Sequence, residues 1–414
     1  MPRLFIVDPN LKSLHGHYFG YAARVGRAAE SLGVHAVILG SAELDLPTVT
    51  PPVLPSFSQT YWQEMQPEHG EDPYLHLGTS ARRFADELAS ALARWEVTAD
   101  DALFLPYANL AELEGVGLLA NRLGAALPRL SLLFRRDVDE QGLDAGVGPR
   151  TIGALLRRAL GTLRAHPAAD RIRVFTDSDT LTDDYAERLQ VRVQTAPIPV
   201  DERFTALASP RAPRPVVISY FGDARTEKGY HRLPGAIGRL VPALDRGDLR
   251  VVAQSNFNVP GGEPGIAAAK RVLAEQRGID VLHEPLHDDE YALYLGESHL
   301  VLLPYDADRY VARTSGILAE AVHAGVPVVV PEGTWLSEQL RRHGAGVTFD
   351  ARQAGSFEDA VERALARLPE LLTRASERRA SFIAFHNPDR LARFVCGAHV
   401  LDLGRQTLDA ESAA

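Results

Sequence analysis

The chain has one cysteine, Cys396, in 414 residues. That excludes an internal disulfide framework and any cysteine-rich metal centre, and it suits a reducing compartment. Long apolar runs are missing too: none approaches the roughly 20 residues of a membrane span. There is no basic excess, since 44 Lys and Arg stand against 54 Asp and Glu for a net charge of −10. This argues against general nucleic-acid binding and leaves room for a local basic site for one phosphate compound. The opening "MPRLFIVDPN" runs directly into a buried-strand pattern with no signal peptide. The expectation is a cytoplasmic protein. The 14 histidines show no His-Glu-x-x-His or comparable ligand spacing, and no Gly-x-Ser-x-Gly nucleophile elbow occurs.

What is present is alternation. Short apolar runs rich in β-branched residues are interleaved with helical patterns, which predicts parallel sheets covered by helices. In the first half the strands are "RLFIVD", "HAVILG", "ALFLPY", "LSLLFR" and "RVFTD", and the helices include "GYAARVGRAAESLG", "ARRFADELASALARW" and "NLAELEGVGLLANRLG". The segment "LPTVTPPVLPSFSQTYWQEMQPEHGEDPY" breaks the rhythm and reads as a long loop, with Tyr61 and Trp62 suggesting a lid or acceptor loop. "APIPVDERFTALASPRAPRP" has five prolines and no periodicity, which marks a linker. The alternation then restarts. The expected organisation is an N-terminal Rossmann-like domain over 1–196, a linker over 197–213, a C-terminal Rossmann-like domain over 214–385 and a helical tail over 386–414.

In parallel α/β sheets, ligands sit beyond the carboxyl ends of the strands, where helix N-termini present unpaired N–H groups. "HLVLLPY" delivers the chain to that edge, and Thr314-Ser315-Gly316 begins the next helix. Small residues there let backbone donors approach a diphosphate closely. Glu320 lies one turn further on the same face, where a carboxylate suits ribose hydroxyls; the alternative is an ordinary N-cap with a solvent-facing Glu. In "YFGDARTEKGYHRL", Gly222 follows a strand, Arg225 and Lys228 are three residues apart, and Gly229 precedes a helix. An Arg fork and a Lys point charge suit a pyrophosphate, against the alternative of a solvated charged loop.

Together these stretches resemble the GT-B glycosyltransferases, particularly the large retaining group called family 4. Arg225, Lys228 and Gly229 match its strand–Gly–Arg-x-x-Lys-Gly stretch, and "EAVHAGVPVVVP" matches its acidic helix and following strand. "DDEYALYLGESHLVLLPY" and the tail "FHNPDRLARFV" also look like the family. The likeness is strong over about 215–350. It implies two Rossmann-like domains with parallel sheets facing a central cleft, the tail crossing back to the first. It further implies that Arg225 and Lys228 hold the donor diphosphate as the groups acting on the leaving group, that Thr314, Ser315 and Gly316 donate to it, and that Glu320 holds the ribose. The chain departs at one position: Ala312 stands where the family has its first glutamate. Arg313 beside it, with Asp306 and Asp308, are the nearby candidates for donor contact.

"NLKSLHGHYFGYAARVG" resembles the glycine loop lining the GT-B cleft: His15 and Gly16 would contact the donor, and His17 is a candidate catalytic donor near neutral pH. Asn109, Arg135, Arg136 and Asp137 occupy the same strand edge as candidate acceptor contacts. The triplets Asp177-Ser178-Asp179 and Asp306-Ala307-Asp308 read as a helix cap and a loop rather than as metal ligands. "TIGALLRRALGTLRAHP" reads as a core-facing helix with a basic edge of Arg157, Arg158 and Arg164, with rest on an anionic membrane as the alternative.

The sequence thus points to transfer of a sugar from a nucleotide diphosphate sugar to an acceptor (glycan, lipid-linked or small molecule), retaining and metal-independent, with no cofactor and no nucleic-acid partner. A GT-B sugar-nucleotide epimerase and a non-catalytic sugar-nucleotide-binding subunit are the alternatives.

Overall fold

The computed structural model describes residues 1–13, 17–64, 71–141, 148–207, 215–256 and 262–412. The chain forms two compact units, Met1–Pro199 with Pro388–Ala414, and Val200–Asn387. In the first, seven parallel strands are ordered β3-β2-β1-β4-β5-β6-β7. They are β1 (Arg3–Val7), β2 (His35–Ser41), β3 (Val53–Phe57), β4 (Ala102–Leu105), β5 (Arg129–Phe134), β6 (Ile172–Thr176) and β7 (Val193–Thr195). The central strands are apolar on both faces because helices cover both. Phe5, opposite Val37 and Leu103, packs toward helices Pro73–Ala93, Leu110–Leu123 and Pro149–Arg164; its neighbours Leu4 and Ile6 pack toward helices His17–Ser31 and Pro388–Ser412.

Local signals set the helix starts. Asp72 accepts from the N–H groups of Tyr74 and Leu75 with Pro73 in the first turn, so this helix begins eight residues before the sequence pattern suggested. Asn109 and Glu112 form a capping box that opens Leu110–Leu123. Helix Pro149–Arg164 buries Ile152, Leu156 and Leu163 and keeps Arg157, Arg158 and Arg164 exposed. The expected long loop instead contains β3 and a short helix, Tyr61–Glu64, and Tyr61 is buried rather than placed on a lid. Trp62's side chain and residues 65–70 lie outside the described residues.

The second unit has six parallel strands ordered β10-β9-β8-β11-β12-β13. They are β8 (Val216–Tyr220), β9 (Leu249–Gln254), β10 (Ile279–Leu282), β11 (Leu300–Leu302), β12 (Val328–Pro331) and β13 (Gly346–Phe349). Part of the expected linker is a helix, Glu202–Ala206, capped by Asp201 and belonging to this unit.

The last helix, Pro388–Ser412, returns to the first unit. Leu391, Val395 and Val400 enter its core, and the Ser131 hydroxyl donates to the Val395 carbonyl at 3.1 Å. The helix breaks at Gly397, whose φ of 71° is left-handed. That backbone conformation favours glycine, and a Cβ there would also displace the Arg129 guanidinium, 2.2 Å away at Cζ.

Candidate functional site

Each sheet reverses its strand order once, between β1 and β4 in the first unit and between β8 and β11 in the second. Such reversals open a crevice at the carboxyl edge.

In the second unit, both sequence motifs meet at that edge. Gly222 follows β8 and its N–H donates to Gln254 Oε1 at 2.8 Å. A Cβ on Gly222 would lie 3.2 Å from Cδ1 of Ile317, in the helix Gly316–His323, so loop and helix are packed together. Gly229 has φ 71°, and a Cβ there would lie 1.8 Å from the Pro304 carbonyl oxygen just past β11. The Asp306 N–H donates to the Glu227 carbonyl at 2.9 Å. These close approaches explain why the loop is bounded by glycine on both sides.

The cations are less exposed than a surface loop would leave them. The ammonium of Lys228 lies 4.4 Å from the centre of the Tyr305 ring and 5.3 Å from that of Tyr310. Burial alone would lower its pKa; the two tyrosines more than offset that, and Lys228 stays charged. Arg225 is braced by Glu263 at 3.4 Å and Glu227 at 3.5 Å. Glu263 also accepts from the Thr226 N–H. Glu227 is shared further with Arg309 and Arg313, each at 3.6 Å. Asp306 also reaches Arg309 at 4.0 Å, so Arg225, Arg309 and Arg313 form one network with Glu227, Glu263 and Asp306, which holds these side chains in place at the edge.

Ser315 caps the helix, its hydroxyl accepting from the Leu318 N–H at 3.2 Å. Gly316 is exposed with open space where a Cβ would stand, so the helix N-terminus is accessible. Thr314 and Arg313 are half-buried beside it, and Ala312 is buried. Glu320 is half-buried, not solvent-facing, and accepts from the Tyr291 hydroxyl at 2.6 Å. His323, one turn later, is buried, with Nδ1 3.1 Å from the Thr205 hydroxyl. Burial pushes its pKa down to about 4, which keeps it neutral. Asp306 takes the N–H of Asp308 at 3.0 Å, and Asp308 pairs with Arg352 at 3.5 Å.

In the first unit, a polar cluster lies after β1, β4, β5 and β6. Asp8, directly after β1, is 1% exposed; one carboxylate oxygen accepts from the Asn10 N–H and the other has no hydrogen-bond partner among the described residues. Burial pushes its pKa up to about 7, against the lowering pull of the Asn10 N–H and Arg135. The guanidinium of Arg135 lies 4.3 Å from the Tyr21 ring centre and 4.4 Å from that of Tyr107, and donates to the Tyr107 hydroxyl at 3.3 Å. Asp177 approaches it at 3.8 Å. The helix after β6 is capped by Ser178, so Asp177 is a buried partner of Arg135 and not a cap. Arg136 donates to the Tyr61 hydroxyl at 2.8 Å. Asp137 is half-buried at the same edge. The side-chain oxygen of Asn109 is engaged in capping and its buried amide nitrogen has no partner among the described residues. His17 opens its helix, while His15, Gly16 and the side chain of His17 lie outside the described residues.

The sequence reading omitted Asp8, Tyr107, Tyr291, Glu227 and Arg309. Asp8 and Tyr107 had a visible signal, since they end the "RLFIVD" and "ALFLPY" stretches at the ligand edge. Among the described residues, no group of three or more His, Cys, Asp or Glu is placed to hold a metal ion, and no helix is long and apolar enough to cross a membrane.

No protein-family model matches the sequence, and no curated protein is similar to it. Solved structures do match over the whole chain. Sucrose-phosphate synthase from Thermosynechococcus elongatus is 15% identical with a TM-score of 0.62, covering 100% of both chains. A glycosyltransferase from Rickettsia africae is 12% identical with a TM-score of 0.66, covering 98% of each. An E. coli trehalose-6-phosphate protein bound with UDP-2-fluoro glucose is 12% identical with a TM-score of 0.66, covering 97% of this chain and 99% of that one. The chain has the GT-B fold.

Proposed function

We propose that this chain is a glycosyltransferase that moves a sugar from a nucleotide diphosphate sugar to an acceptor held mainly by the first unit. The observation that carries this reading is the meeting of Arg225 and Lys228 with the open N-terminus of helix Gly316–His323 at the reversal point of one sheet. Two cations and a set of helix amides are what a leaving diphosphate requires as its negative charge develops. Glu320 is one turn from Gly316, about 5–6 Å along the axis, at ribose distance from phosphates seated on the helix end. The neighbour bound with UDP-2-fluoro glucose supports a nucleotide sugar as donor. The proposed transfer is retaining and metal-independent, with cations and amides balancing the diphosphate charge.

The test is a thermal-shift panel of UDP, GDP and ADP with their sugars, followed by mass spectrometry of donor mixed with candidate acceptors. A ligand at a hundred times its Kd raises stability by about 2.7 kcal/mol. No shift with any of these ligands would overturn the reading. Ala312 favours a second reading, a binding subunit without transfer, because no carboxylate stands at that buried position. Donor binding with neither transfer nor donor hydrolysis, across the acceptor panel, would select it.

A further inference from the structure

The segment that leads into the second unit is folded onto two helices of the proposed donor side. The unit begins at Val200, and helix Glu202–Ala206 follows almost at once. Five residues make too short a helix to hold its place alone, so its position is set by what it packs against. Thr205 reaches His323 at the far end of helix Gly316–His323. Arg379 donates to the carbonyls of both, at 3.2 Å for Thr205. On the other side, Arg203 pairs with Asp289 at 3.1 Å and Asp288 at 3.5 Å, in the first turn of helix Asp288–Glu297. Leu207 packs over Gly296 of that helix, where a Cβ would lie 3.3 Å from Cδ2 of the leucine.

Phe204, in the middle of the short helix, is buried and meets the Tyr291 ring edge-on, with centroids 5.7 Å apart and planes at 69°. Phe221, buried between β8 and Gly222, meets the same ring at 5.0 Å and 85°. Aromatic pairs prefer this edge-to-face arrangement, and two such contacts leave the Tyr291 ring little freedom to tilt. Neither phenyl ring offers a hydrogen bond in competition with Glu320. Where the ring lies decides where its hydroxyl points, and that hydroxyl donates to Oε2 of Glu320 at 2.6 Å. A chain of contacts therefore runs from Phe204 through Tyr291 to Glu320.

We infer that Phe204 is a positioning residue for the nucleoside, fixing the Tyr291 ring so that Glu320 stands ready for the ribose hydroxyls. Recognition of the ribose then depends on the segment that leads into the second unit. This rests on the proposed reading of Glu320 as the ribose contact. Calorimetry with UDP and inorganic pyrophosphate tests it. F204A should weaken UDP about fivefold and leave pyrophosphate unchanged, because the phosphates are held at the other end of the helix. Phe204→Leu, which refills most of the volume, should restore UDP affinity. In a Tyr291→Phe background F204A should cause no further loss of UDP, since no hydroxyl remains to be positioned. Circular dichroism checks folding, and Phe204→Val replaces F204A in the same comparison if the alanine variant does not fold. Equal weakening of both ligands, no weakening of either, or a loss that adds to that of Tyr291→Phe would overturn the inference. Glu320→Gln, measured alongside, separates the two levels. Selective loss of UDP in Glu320→Gln without it in F204A would overturn the role of Phe204 alone. No selectivity in Glu320→Gln would overturn the ribose contact and this inference with it.

Discussion

The Tyr291 hydroxyl donates to Glu320 at 2.6 Å, tying the helix Asp288–Glu297 to the helix that begins beneath the proposed phosphate position. The carboxylate is therefore held in place before any ligand arrives, with one oxygen engaged by Tyr291. Glu320→Gln should weaken nucleoside diphosphate binding by about 1–3 kcal/mol and leave inorganic pyrophosphate nearly unchanged. An amide keeps one acceptor and adds a mismatched donor. Tyr291→Phe should show the same selectivity with a smaller loss, because the carboxylate survives. Calorimetry with both ligands checks this, and equal weakening for both would mean that Glu320 organises the loop instead.

Lys228→Ala and Arg225→Ala should each reduce diphosphate affinity by about 1.5–3 kcal/mol. The structure adds a distinction between them. Lys228 sits against Tyr305 and Tyr310, so its loss should also cost stability, about 0.5–2 kcal/mol. Arg225 has more than a third of its side chain exposed and is held by Glu263 and Glu227, so its removal should change stability little. Urea melts beside UDP, GDP and ADP titrations separate the two effects. Unchanged affinity in both variants would remove the phosphate assignment.

Stability should depend on Asp8 in a defined pH window. Its folded-state pKa of about 7 lies above the ordinary 3.8, so the native state binds this proton more tightly than the unfolded chain does. The contribution is present below about pH 4 and is lost as pH rises toward 7, on the order of 4 kcal/mol across the window. Asp8→Asn should remove that slope and gain on the parent as pH increases. Urea midpoints of parent and variant at pH 4.5, 6 and 7.5 measure it. Parallel curves would show that Asp8 ionises as an ordinary carboxyl.

Transfer should persist in excess EDTA, because cations and helix amides are positioned for the charge that a divalent ion would otherwise neutralise. Loss of activity in chelator, restored by Mg²⁺ or Mn²⁺, would turn attention to Asp306 and Asp308, now seen holding a loop turn and Arg352.

The central strands were legible because parallel strands covered on both faces are almost uninterrupted apolar runs, as in "HAVILG" and "RLFIVD". β3 was not, since Pro55 and the prolines before it suppress a strand reading. The strand tolerates Pro55 because it is at the sheet edge and pairs with β2 alone. β7, only three residues long, was missed for want of any periodicity. The donor-side motifs were visible because glycine and charge spacing are local. The partners of those residues were not visible: nothing in "DDEYALYLGES" shows that Tyr291 reaches Glu320, and the clustering of Asp8, Tyr107, Arg135 and Asp177 exists only once four strands lie side by side. Asn109 is the converse case, a residue at the right edge whose side-chain oxygen serves the helix it begins.

The first unit's core is closed by Leu391, Val395 and Val400, residues that leave the ribosome after the whole of Val200–Asn387 has been made. The unit synthesised first is therefore the one finished last. Until then Leu4, Ile6 and Val25 lack part of their apolar covering, and the contiguous second unit can complete its own sheet in the meantime. Order of synthesis and order of maturation are thus reversed between the two halves of the molecule.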